Sequence, residues 1–318
     1  MRTIRAASSR ALRRTALTAG TCIGAGLALV ATAVLGAHSP AADSPQAERT
    51  PSGLVVHSTF ANPAPAGGTS LLTASTAGDP TVGAASTPTG KGWWEVSTGG
   101  GVFTFGDAAF HGSAGTVHLN QPIVGTAATP DGNGYWLVAT DGGIFSFGDA
   151  AFHGSTGAIH LNQPIVGMAS TPDGNGYWLV ASDGGIFSFG DASFHGSTGA
   201  IHLNQPIVAM ASTPDGNGYW LAASDGGVFA FGDAGFAGSA AGAAPPGTVV
   251  SIAANHGGGY WITDSAGDVF TYGAAPHVAS AKGVLSAPVR STTPLLPSGD
   301  LVLVASDGSN ATVGAGGV

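Results

Sequence analysis

The sequence predicts an all-β protein, a β-propeller of about six four-stranded blades. Three observations predict it: a repeat of 41–42 residues, several strand-like segments in each repeat, and apolar residues on both faces of the central segment. The repeat is marked by Trp94, Trp136, Trp178, Trp220 and Trp261, and Val302 holds the same place in a sixth unit. The units start near Pro80, Pro122, Pro164, Pro206, Gly247 and Pro288.

The third unit shows the elements in order. Residues 164–171, "PIVGMAST", are predicted as the first strand, and "PDGNG" turns the chain into a second strand at 177–182, "YWLVAS". A tight "DGG" turn, whose glycines can adopt positive φ, leads to a third strand at 186–190, "IFSFG". A short fourth strand is predicted at 191–197, "DASFHGS", and "TGAIHLNQ" connects this unit to the next.

The second strand is predicted to be buried on both faces. Trp178 and Val180 point to one side of the sheet, and Tyr177 and Leu179 point to the other. A single sheet cannot cover both of its own faces, but a repeated sheet can be covered by its neighbours. A β-trefoil has too few repeats, a β-solenoid usually has shorter coils, and the Gly-rich, β-branched pattern disfavours helical repeats.

Two segments precede the repeats. Residues 1–42 combine an Arg-rich start, a long run without charge and a small-residue end, which predicts a signal peptide cleaved near Ala41 or Ala42. Because the apolar run is long enough to span a bilayer, an uncleaved membrane anchor stays the alternative. Residues 43–79 are predicted as a Pro/Ala/Ser/Thr/Gly-rich linker, and 80–318 as the propeller domain.

The last unit raises the question of how the ring closes. The sixth unit runs out at Val318, and after "ATVGAGGV" at 311–318 we expect nothing to remain for its outer strand. An unpaired sheet edge is a liability that closed rings avoid. Two linker segments look strand-like, "LVVHSTF" at 54–60 and "TSLLTAS" at 69–75. We expect 54–60 to supply the closing strand.

Charge excludes one class of partner. Only 8% of the residues are charged, and five of the nine basic residues precede residue 43. Arg49, Lys91, Lys282 and Arg290 then remain against eighteen acidic residues. Nucleic-acid binding depends on basic side chains that meet phosphates, so we expect no nucleic-acid partner, and membrane contact only through an uncleaved N-terminal segment. The sequence does not indicate an oligomeric state.

The repeated phrase "GYWLVASDGGIFSFGDA", at 176–192, carries a family resemblance. It resembles repeats in secreted or surface proteins of actinobacteria, which are mostly uncharacterised and are sometimes attached to cell-wall or hydrolase domains. The resemblance covers about residues 80–275. It implies a propeller-like repeat fold and a secreted or cell-surface location, and it implies no catalytic residue.

Aspartate and histidine recur at fixed positions in successive units. The aspartates are Asp131, Asp173 and Asp215 in "DGNG", Asp141, Asp183 and Asp225 in "DGG", and Asp107, Asp149, Asp191 and Asp233 in "FGDA". We interpret them as acceptors for turn amides, and His111, His153 and His195 of "FHGS" as packing residues. A calcium ion needs roughly 6–8 oxygens, so we predict no metal site and no cofactor, with weak calcium binding between blades as the alternative.

The sequence predicts no catalytic residue. The mature chain would contain two glutamates, Glu48 and Glu95, and Arg290 is the one arginine within the repeats. No unit departs from the pattern with a concentration of acids that would suit glycoside hydrolysis. The leading interpretation is therefore a non-catalytic binding module for a polysaccharide or a cell-envelope protein. A propeller-type hydrolase or lyase with a shallow axial site, and a purely structural surface module, remain alternatives.

The expected ligand contact is the "HLNQ" connector of three successive units. Turns of a meander alternate between the two ends of the sheet, so these connectors should share one face with the "DGG" turns. Their side chains both donate and accept hydrogen bonds, which suits neutral polar ligands such as sugars. The predicted ligand-binding residues are His118, Asn120, Gln121, His160, Asn162, Gln163, His202, Asn204 and Gln205.

Overall fold

The computed structural model describes residues 48–49, 55–56, 70–73, 78–243 and 245–314. Within this part, six antiparallel meanders of three strands follow one another along the chain. The bounds are β4 Thr81–Ser86, β5 Trp93–Ser97 and β6 Val102–Phe105; β7 Ile123–Ala128, β8 Gly134–Ala139 and β9 Ile144–Gly148; β10 Ile165–Ser170, β11 Gly176–Ala181 and β12 Ile186–Gly190; β13 Ile207–Ser212, β14 Gly218–Ala223 and β15 Val228–Gly232; β16 Val249–Ala254, β17 Gly259–Asp264 and β18 Val269–Gly273; β19 Val289–Leu295, β20 Asp300–Ala305 and β21 Ser309–Val313.

Three shorter strands and one helical turn complete the described elements. The strands are β1 Glu48–Arg49, β2 Val55–Val56 and β3 Ser70–Thr73, and Ala241–Ala243 form a 3-10 helix. The predicted signal peptide or anchor at 1–42 lies outside the described residues. No helix within the described ranges has the length and hydropathy needed to cross a bilayer.

The six sheets confirm the predicted number of blades, but the prediction of four strands in each blade is wrong. Residues 191–197, expected as a fourth strand, form no ladder with β12. The reason is that the next blade takes their backbone groups. The amide of His195 donates to the hydroxyl of Tyr219 at 3.1 Å, and this hydroxyl donates to the carbonyl of Gly196 at 2.6 Å. The segment therefore joins two blades instead of widening one.

The sixth sheet is the exception, because β3 pairs antiparallel with β21 and gives it a fourth strand. The expectation that residues 54–60 close the ring is corrected by this pairing. Within that range Val55–Val56 pairs with Glu48–Arg49, and 57–60 lie outside the described residues. β3 ends at Thr73, shortly before the first sheet begins at Thr81. β3 is therefore the strand next to the junction between the first and sixth blades.

The ring also closes through the backbone. The six first strands contact one another in a circle, and β19 of the sixth blade contacts β4 of the first. At the start of each first strand an amide donates to a turn carbonyl of the preceding blade, as from Ile123 to Thr98 at 2.9 Å. The same bond runs from Thr81 to Ser306 at 3.0 Å, between the first and sixth blades. The circle of hydrogen bonds is therefore continuous.

The core lies between neighbouring blades, as the apolar pattern predicted. Trp136 and Val138 of the second blade pack with Tyr177 and Leu179 of the third, and all four side chains are fully buried. The rings of Trp136 and Tyr177 lie 5.7 Å apart between centroids. Burial of such large aromatic and aliphatic surfaces is the main stabilising term for a chain with few charges.

Candidate functional site at the connector face

The ends of the strands define two faces of the propeller. The connector face carries the connectors between blades and the turns from second to third strands, such as 140–143. The turn face carries the turns from first to second strands, such as 129–134, and the bends that follow the third strands, such as 148–150. This arrangement agrees with the alternation of a meander, and it places the "HLNQ" connectors and the "DGNG" turns at opposite ends.

On the turn face, the "DGNG" aspartates accept hydrogen bonds within their own turns. Asp131 accepts hydrogen bonds from the Thr129 hydroxyl at 2.8 Å and from the Asn133 amide and side chain at 3.1 and 2.8 Å. The backbone bond from Asn133, followed by the Thr129 hydroxyl, holds the pKa of Asp131 well below its usual range. These contacts agree with the interpretation of the aspartates as acceptors for turn groups.

The histidines of "FHGS" lie between blades. The imidazole Nε2 of His153 is 3.2 Å from the carbonyl oxygen of Gly174 in the next blade, and the ring packs edge-on against Tyr177 with centroids 5.5 Å apart. His111 and His195 repeat these contacts. These side chains are partly buried and serve packing, as the sequence predicted.

On the connector face, the nine predicted ligand-binding side chains are all exposed. Gln121 accepts a long hydrogen bond from the Thr140 hydroxyl at 3.4 Å, and Gln163 accepts one from Ser182 at 3.3 Å. The other seven make no hydrogen bond within the described part of the chain. They are His118, Asn120, His160, Asn162, His202, Asn204 and Gln205.

The structure adds a feature that the sequence analysis missed, a ring of β-bulges on the propeller axis. In every first strand the ladder register shifts around one unpaired residue near its start, as at Val166 between Ile165 and Gly167. The six bulged residues line a cavity of about 580 Å³ at the connector end of the central channel. They are Val82, Val124, Val166, Val208, Val250 and Arg290. Alignment of the repeats carries the signal, because one unit has arginine where five have valine.

A second cavity, of about 560 Å³, lies at the turn end of the same channel. Five Thr-Pro pairs are among its lining residues, and His256 is the one imidazole there. Neither cavity has a carboxylate in its lining.

Metal ligation has little support from the described side chains. They contain no group of three or more histidine, cysteine, aspartate or glutamate residues placed to hold one ion. Weak calcium binding between blades stays a prediction.

Comparisons with known proteins support the fold and indicate no function. No protein-family profile matches the chain, and no curated protein matches it in sequence. Among solved structures, the chain is similar to the β-propeller domain of Cps50 (Swd1) from Myceliophteria thermophila, with a TM-score of 0.50 and 9% identity. The similarity covers 74% of this chain and 82% of that one. At this identity it supports a β-propeller fold and carries no function.

Proposed function

We propose that this β-propeller is a non-catalytic binding module, secreted or displayed at the cell surface, which holds a polysaccharide or another cell-envelope ligand on its connector face. The contacting residues are the side chains of the "HLNQ" connectors, repeated on three adjacent blades. Three copies at regular spacing suit a ligand that is itself a repeating polymer. Once one copy has bound the polymer, the other two contacts form within the same complex, which raises the overall affinity.

The observation that carries this proposal is the difference between the two faces. On the turn face, Asn133 and Asp131 satisfy each other within the turn. On the connector face, Asn162 of the same unit is exposed, and its side chain makes no hydrogen bond among the described residues. Its donors and acceptors are therefore available to a ligand. Amide and imidazole groups pair with hydroxyl groups without a charge, which favours sugars.

Export is part of the proposal. It is supported by the basic start, apolar run and small-residue end of residues 1–42, and by the resemblance to repeats of exported actinobacterial proteins. N-terminal sequencing of protein recovered from culture medium should give a start close to Asp43. A membrane-bound product that retains Met1 or Arg2 would show an anchor instead.

The test of binding is a pull-down of the purified protein with cell-wall polysaccharides and peptidoglycan, with and without calcium. The variant that removes the proposed contacts is the triple change Asn120→Ala, Asn162→Ala and Asn204→Ala. Surface substitutions usually cost within about 0.5 kcal/mol, so this variant should fold. The matched control removes the same residue type from three successive units on the opposite face, as Asn133→Ala, Asn175→Ala and Asn217→Ala.

Saturable binding without product, weakened by the first triple variant and not by the second, would support the proposal. Equal weakening by both variants, or by the turn-face variant alone, would show that the wrong face was chosen. Release of shorter sugars on incubation would show an enzyme, and the non-catalytic assignment would then be wrong.

A further inference from the structure

Arg290 interrupts an otherwise uniform ring. It is the bulged residue of β19, at the position that Val82, Val124, Val166 and their two equivalents occupy in the other five blades. A β-bulge re-aims the side chain of its unpaired residue and is common beside functional sites. Six bulges at one level of the channel therefore present six side chains to the same cavity, five of them apolar and one a guanidinium.

The charge of Arg290 is not neutralised by the protein. Arg290 is the one charged residue among those that line the cavity, and no carboxylate within the described chain forms an ion pair with it. The turn carboxylate of the same blade has other partners, since Asp307 accepts hydrogen bonds from the Ser309 amide and from the Ser286 hydroxyl, each at 3.0 Å. Of the other cations in the described blades, Lys282 pairs with Asp268 at 3.0 Å, and Lys91 lies in a turn on the opposite face.

The backbone of β19 beside Arg290 is held by the neighbouring strand. Ser291, which follows Arg290, accepts a hydrogen bond from the backbone amide of Ala84 in the first blade at 3.1 Å. This bond holds β19 against β4 directly beside the bulge. Thr126, Thr248 and Ser265 also line the cavity, among its valines and methionines. The Thr126 hydroxyl donates to the carbonyl of Trp136 at 2.9 Å.

We propose that Arg290 binds the carboxylate of an acidic sugar residue, with the sugar ring lying on the bulged valines. The sugar class rests on the proposed function of the connector face, which surrounds this cavity. The choice of a carboxylate rests on the site itself. One guanidinium pairs with one carboxylate through two parallel hydrogen bonds, whereas a dianionic phosphate would leave charge uncompensated among apolar side chains.

The experiment is a titration of the full chain with D-glucuronate, followed by NMR of the valine methyl groups that line the cavity. D-glucose and the methyl ester of glucuronic acid are the uncharged analogues of the probe. The informative variant is Arg290→Val, which restores the residue found in the five other blades and should fold. Lys282→Ala is the matched control, since it removes a cation from the surface and leaves the cavity intact.

We expect saturable shifts of the Val124 and Val166 methyl signals with glucuronate. The wild-type protein should bind the two uncharged analogues at least about tenfold more weakly than glucuronate, and the Arg290→Val variant should bind glucuronate more weakly by a similar factor. Such a factor is expected for the loss of a charge-assisted hydrogen bond. Added salt should weaken binding further. The Lys282→Ala variant should match the wild-type protein.

Equal affinity of Arg290→Val and wild-type protein, equal shifts with acid and ester, or no saturable shift would each overturn the inference. Its failure can be told apart from failure of the proposed function. If polysaccharides bind through Asn120 and its equivalents while Arg290→Val changes nothing, the carboxylate site is wrong and the binding module stands. If glucuronate binds at Arg290 while no polysaccharide is retained, the proposed function is wrong and the carboxylate site stands.

Discussion

The junction between the first and sixth blades contains a polar pair that the other five junctions lack. Elsewhere a leucine or isoleucine of the second strand packs in one cluster with a valine or isoleucine of the preceding blade, as Leu179 does with Ile144. At the closing junction these positions are Glu95 and Asn310, at 0% and 1% exposure. Asn310 Nδ2 donates to Glu95 Oε1 at 2.7 Å, and Trp93 Nε1 donates to the same oxygen at 3.0 Å.

The two remaining oxygens of this pair favour a protonated Glu95. Glu95 Oε2 and Asn310 Oδ1 are both buried and have no hydrogen-bond donor. A proton on Oε2 would allow it to donate to Oδ1, which satisfies both atoms at once. Burial, reinforced by the negative charge of Asp307, raises the pKa of Glu95 from 4.5 to about 8, against the opposing hydrogen bonds from Trp93 and Asn310. We therefore expect Glu95 to be neutral in the folded protein at neutral pH.

The raised pKa makes stability depend on pH. Because the folded-state pKa lies above the unfolded value, the contribution of Glu95 is fully present below about pH 4.5 and is lost as the pH rises through about 8. The separation of roughly 3.5 pH units, at about 1.36 kcal/mol per unit, gives a loss of at most about 5 kcal/mol. This is a large part of the stability of an ordinary domain.

The perturbation is Glu95→Gln, which removes the titration and keeps the shape. The glutamine amide can accept from Asn310 Nδ2 and donate to Asn310 Oδ1, so the cyclic pair survives. We expect urea unfolding from about pH 5 to about pH 8 to show wild-type stability falling by several kcal/mol relative to the variant. A second variant, Glu95→Leu with Asn310→Val, restores the apolar pair of the other junctions and should also remove this pH dependence.

The matched control for burial of an amide is Leu179→Gln at another junction. It should destabilise the protein at every pH, because its amide has no partner there, and it should leave the pH dependence unchanged. If wild-type protein and Glu95→Gln lose stability in parallel as the pH rises, Glu95 is not protonated in the folded state and the reasoning is wrong.

Two further predictions concern the turns and the closing strand. Gly142 and Gly283 both have positive φ, but an added Cβ at Gly142 would overlap the Thr156 hydroxyl, whereas Gly283 faces open space. Alanine at Gly142 should therefore cost about 1–3 kcal/mol more than alanine at Gly283 in urea unfolding, and equal costs would contradict the steric argument. Deletion of 70–73, which pairs with β21, should lower the melting temperature, whereas deletion of 54–60 should change it little. The reverse order of the two melting temperatures would mean that 54–60 closes the ring.

Local features of the chain were predictable from sequence. The six units, their three ladder strands and their turns follow from the period of the repeat and from residues whose backbone preferences are local, such as the glycine of "DGG". Burial of Trp178 and Tyr177 on opposite sides of one strand was also predictable, because alternation along a strand sends neighbouring side chains to opposite faces. The connector and turn faces followed from the same meander.

Contacts between distant units were decided only by the tertiary structure. "FHGS" has the composition of a short strand, but the tyrosine hydroxyl of the next blade takes its backbone groups, as at His195 and Gly196. The choice of β3 over 54–60 depends on which segment lies beside β21, and both are strand-like in sequence. The environments of Arg290 and of the Glu95–Asn310 pair are likewise set by residues in other blades. The period of the sequence determines the strands and turns of each blade, because these depend on local residues. Closure of the ring determines which residues of different blades come into contact.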